Sequence, residues 1–164
     1  MPATNGQNSE VLKAVADLPI DEFEAALLPL LRHFTLVLSG KNPNGWQTAF
    51  GLAAERWGAP IGLPVAHEIG KLVAALEETR GSLPRVQDPF CTDARLLVTR
   101  DEERFLLLIH HMRRDNTAGA RDAVWALTDG HALSAFIRQA LSFAAKHTLV
   151  APLASGRAPV LRVV

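Results

Sequence analysis

Apolar residues recur along this chain at intervals of three and four, the spacing of one face of an α-helix. Phe23, Leu27, Leu30, Leu31, Phe34 and Leu38 form the first such stripe. Asp21 and Glu24 stand ahead of it as a capping box, the Asp side chain taking a first-turn amide and the Glu reaching back. Gly40 supplies a left-handed stop. Pro29 sits inside the stripe, where it removes a backbone hydrogen bond and clashes one turn back. The segment is therefore expected to kink at Pro29 or to divide into two shorter helices.

A polar loop, Gly40–Gly45, separates this element from a second stripe of Trp46, Phe50, Ala53 and Trp57, which ends at Gly58. Asn44 and Gln47 resemble another capping box. Ala59–Pro64 reads as a breaker-rich turn, with Pro64 suited to a first helical turn. Val65, Ile69, Leu72, Val73 and Leu76 define the next apolar face, closed by Gly81. Residues 82–98 lack helical period, and Arg95–Val98 reads as a short extended piece.

Thr99-Arg100-Asp101-Glu102 is the clearest start signal in the chain, with Glu103 adding to the negative charge at the positive helix end. The helix behind it carries Phe105, Leu106, Leu107, Leu108, Ile109 and Met112. These lie nearly all round it, which predicts a central position. Asn116 caps a shorter helix with Ala120, Val124 and Leu127 inward, and Thr128-Asp129-Gly130 resets the chain. The last helix turns Leu133, Phe136, Ile137, Ala140, Leu141 and Ala144 inward.

With a weak element over Ser9–Asp17, the pattern predicts an all-α fold: a single-domain irregular bundle of six or seven helices with a proline-kinked second helix. Residues 1–8, small and polar, predict a disordered N-terminus, and 9–150 the helical domain. Residues 151–164 predict an extended C-terminal tail, with Pro159–Val164 lying as a strap or captured by a partner.

Composition narrows the function classes. The chain has 164 residues, the size of one domain, with 48% hydrophobic and 21% charged residues. Its 17 Lys and Arg balance 17 Asp and Glu, so nucleic-acid binding driven by counterion release is not expected. One cysteine, Cys91, excludes an internal disulfide and a multi-cysteine metal site. No apolar run reaches the roughly 18 residues that span a bilayer, and no signal-like start is visible. The expectation is a cytoplasmic protein without membrane or cofactor.

Six features bear on chemistry. His110-His111 on the central helix point about 100° apart, whereas a helical metal pair needs i and i+4. They are expected to bond carbonyls or carboxylates. Asp88 and Asp93 flank Cys91 and oppose thiolate formation, which favours a packing role over a nucleophile. His67-Glu68 reads as a solvated helix face. Leu52–Gly58 with the following helix resembles a helix-turn-helix, but Val65–Gly70 lacks base-reading side chains. Arg113, Arg114 and Arg121 offer a phosphate or carboxylate site that Asp115 and Asp122 weaken. Trp46, Phe50 and Trp57 are core or an interface anchor.

No phosphate loop, dinucleotide fingerprint or serine-nucleophile elbow is present. The leading expectation is a non-enzymatic interaction or regulatory module, homodimeric or bound to a protein partner, using Trp46, Phe50 and Trp57. The alternative is a small-molecule or metal site between helices, with Cys91, His110 and His111 as pocket candidates. A DNA-binding regulator is the third reading.

Overall fold

The computed structural model describes residues 12–131 and 134–149. Both chain ends, including the expected disordered start and the C-terminal strap, lie outside these residues. Among the described residues the chain forms seven α-helices: α1 Glu22–Ala26, α2 Leu28–Leu38, α3 Gly45–Trp57, α4 Ala59–Arg80, α5 Arg100–Arg113, α6 Thr117–Leu127 and α7 Ser134–Lys146. This is the expected all-α bundle. The only pairing of extended chain described is two residues long, with β1 (Lys13–Ala14) antiparallel to β2 (Leu97–Val98). The weak helix expected before Asp17 is instead, over its described part, β1 and a 3-10 turn at Val15–Asp17.

The Pro29 stripe is two short helices. Leu27 ends α1, and Pro29 falls in the first turn of α2, where a missing N–H costs nothing. Leu27, the one residue between the two helices, keeps helical dihedrals at φ −75° and ψ −21°. The breaker-rich turn expected at Ala59–Pro64 is also corrected, because α4 runs unbroken from Ala59 to Arg80. Gly58, at φ 75°, turns the chain in a single residue, and Pro60 takes the first-turn position expected of Pro64. Gly62 explains the tight hairpin. A Cβ there would stand 2.1 Å from the Ala53 carbonyl oxygen, so only glycine lets α3 and α4 cross this closely.

One continuous apolar cluster runs through the bundle. Phe105, Leu106, Leu108 and Ile109 of α5 are fully buried, and α5 packs against α1, α2, α6 and α7, which makes it the central element. Two capping boxes form as expected, Asp21 with Glu24 and Thr99 with Glu102. The one at Asn44 does not, since its side chain makes no cap hydrogen bond. No described helix is long and apolar enough to cross a membrane.

Candidate functional site

Both capping-box glutamates are 0% exposed, and each meets arginine from another helix. Glu102 takes Arg32 of α2 in a fork, Nε to Oε1 at 2.7 Å and Nη2 to Oε2 at 3.1 Å. Arg32 donates further to the carbonyls of Ala94 (3.1 Å) and Leu97 (2.6 Å). Glu102 also accepts from the Gln87 amide at 3.0 Å. Residues 87–97 are thus tied to the core through one buried ion pair.

Glu24 meets α5 near its end. It accepts from Arg113 and Arg114, each at 2.5 Å, and its other oxygen lies 3.0 Å from His110 Nδ1. Asp21 accepts from Arg113 at 2.6 Å and from Arg114 at 3.2 Å. Burial pushes the Asp21 and Glu24 carboxyls up. The arginines, a backbone N–H to each and, at Glu24, His110 outweigh it and hold both below the usual range. His110 is therefore a carboxylate partner, and two of the three arginines expected to greet an anion are already engaged.

These tethers frame a groove. Its first half, about 750 Å³, lies between the α1–α2 junction and the C-terminal half of α3, with Trp57 in its wall. Its second half, about 510 Å³, lies between α2, Leu52 of α3 and the 89–96 loop. Ala25, Pro29 and Leu52 line both, which makes the trough continuous. Glu22, Glu55 and Arg56 edge one end, and Arg95 the other.

Phe90 and Leu96 stand at the second end, 64% and 74% exposed. Their loop is anchored. Asp88 Oδ1 accepts the Phe90 amide at 2.9 Å, and Arg32 holds Ala94 and Leu97. Beneath Phe90, its ring edge-on at 5.6 Å, lies the imidazole of His33. His33 is 4% exposed, and its Nδ1 has no hydrogen-bond partner among the described residues. Burial holds its pKa below the ordinary value, so the ring is neutral.

The sequence candidates divide. Trp57 lines the groove and stacks obliquely on Phe23 at 5.4 Å. Phe50 is half-buried between Phe34 and Trp46. Trp46 is 48% exposed and lies outside the groove lining. Cys91 is exposed beside Phe90 and fills no core position. His111 leaves its neighbour for a separate cavity. His67 is exposed, as expected, but Glu68 departs from the expected solvated face: its side chain is mostly buried and pairs with Lys146 of α7. No three His, Cys, Asp or Glu side chains gather as metal ligands among the described residues. The α3–α4 junction has no helix-turn-helix turn, and Val65–Gly70 lies inside α4.

Sequence reading missed Phe90 and Leu96. Their signal was present but unordered: large apolar residues inside an aperiodic stretch have no core face to occupy. Compared with protein-family models, curated proteins and solved structures, the chain matches none of them.

Proposed function

We propose that the protein is a cytoplasmic, non-enzymatic interaction module that pairs with a second copy of itself through this groove. The observation that carries the reading is the placement of two anchored apolar knobs, Phe90 and Leu96, beside an apolar trough on the same face. A two-fold contact must be self-complementary, and a knob next to a hollow satisfies that requirement with one surface. Holding the knobs on a tethered loop lowers the ordering cost of association. A formal net charge of zero removes repulsion between copies.

Light scattering on a sizing column tests this. The wild type is expected at twice the 17.8 kDa chain mass. The double variant Phe90→Ser, Leu96→Ser is expected at one chain mass with an unchanged far-ultraviolet spectrum. A wild type that stays monomeric up to its solubility limit, or a variant that still pairs, overturns the reading.

A further inference from the structure

Away from the groove, α5, α6 and α7 enclose a second cavity of about 310 Å³. That is the low end of the range for small-molecule sites. At roughly 30 Å³ per water it holds about ten waters' volume, enough for one ring and a short polar chain. Its apolar wall is Met112, Ala120, Val124, Ile137 and Leu141, with Trp125 beside them. Trp125 is 65% exposed and Leu141 50%, although the helical pattern predicts Leu141 inward.

The polar rim carries two opposite charges. Asp115 and Arg121 both line the cavity, and neither side chain makes a hydrogen bond or ion pair with another described residue. Asp115 is held rigidly. It sits at φ 53° in the turn ending α5, where its amide bonds the Met112 carbonyl and the Asn116 amide bonds that of His111. This is the paired closure usually built on glycine. An aspartate there bears backbone strain that its carboxylate does not relieve through any described partner.

His111 completes the rim. Asn116 spends its carbonyl oxygen on the Gly119 amide, so its nitrogen donates to His111 Nδ1 at 3.1 Å. Burial, then His110 and Arg114, hold this imidazole below its ordinary pKa, against the pull of Glu24 and Asp122. The ring is therefore neutral with its proton on Nε2, a donor on the cavity wall. Gly119 makes room for it, since a Cβ there would come within 2.6 Å of the ring. Asn116 and Thr117 supply the remaining polar lining.

We infer that this cavity binds a zwitterionic amino acid with a large apolar side chain. The ammonium faces Asp115, the carboxylate faces Arg121 and the side chain lies against Trp125 and Leu141. A ligand with one charge would leave the other rim charge unanswered, whereas a free amino acid answers both. The inference is independent of the dimer reading.

Titration calorimetry with L-phenylalanine, hydrocinnamate (no amine) and phenethylamine (no carboxylate) tests it. L-Phenylalanine is expected to bind at least tenfold more tightly than either analogue. Asp115→Asn is expected to lower L-phenylalanine affinity about tenfold and leave hydrocinnamate no weaker. Arg121→Gln is expected to do the same and leave phenethylamine no weaker. Trp125→Ala should weaken all three. All three residues are exposed, so the variants fold. Equal affinities for the three compounds, absence of L-phenylalanine binding at millimolar concentration, or charge variants without effect would overturn the inference.

Discussion

Gly62 carries the sharpest residue-scale consequence. In an ordinary helix interior, Gly→Ala stabilises by roughly 0.5–1 kcal/mol. Here the added methyl meets the Ala53 carbonyl oxygen at 2.1 Å, and that oxygen belongs to the backbone of α3. Overpacking of this kind costs about 1–3 kcal/mol or more, and it outweighs the propensity gain. Gly62→Ala should therefore lower the urea midpoint, whereas Gly51→Ala, with open space around it, should not. The sequence showed Gly62 beside two prolines, and the breaker chemistry of those residues suggested a turn. The contact that demands glycine belongs to a different helix, and no local pattern records it. Pro29 was more legible, because its chemical constraint is local and falls at a helix start.

At the scale of elements, capping was the most readable feature and also the most incomplete. Asp21–Glu24 and Thr99–Glu102 cap as their spacing dictates. Each glutamate then does a second job, anchoring arginine from a helix far along the chain. Removing one partner of a buried pair strands the other charge, at about 3–5 kcal/mol. Glu24→Gln leaves Asp21 as the one carboxylate still paired with Arg113 and Arg114, so its unfolding midpoint in urea should fall, by less than a fully stranded charge would cost. The acid limb of stability follows from the same groups. Asp21 and Glu24 titrate lower in the folded chain than unfolded, so their stabilisation is full above the unfolded values near 4. It is lost as pH falls through the folded values. Stability measured in urea between pH 6 and pH 2 should therefore decline below about pH 4, and the decline should be shallower in Glu24→Gln.

The whole molecule shows why the groove escaped a linear reading. Its lining comes from Val15, the α1–α2 junction, one side of α3 and the 89–96 loop, and only the fold places them together. Trp57 was legible as an anchor candidate because it sits in a periodic stripe. Phe90 and Leu96 were not, because periodicity speaks only for residues inside regular elements. The makeup of the groove also fixes what drives pairing. Its wall is mostly Ala, Pro, Leu and Trp, Arg32 in it is already paired with Glu102, and its rim ion pair, Arg56 with Glu22 at 3.7 Å, is exposed and contributes little. Pairing through apolar burial is insensitive to screening, whereas pairing through charge weakens steeply once the Debye length falls to about 3 Å near 1 M salt. Sulfate, which strengthens burial by exclusion from the surface, should tighten the pair. Sedimentation equilibrium in dilute buffer, in concentrated sodium chloride and in sodium sulfate should give a dissociation constant that is nearly flat in chloride and smaller in sulfate. Dissociation by sodium chloride alone would assign the contact to charge, and with it to a surface other than the one Phe90 and Leu96 border.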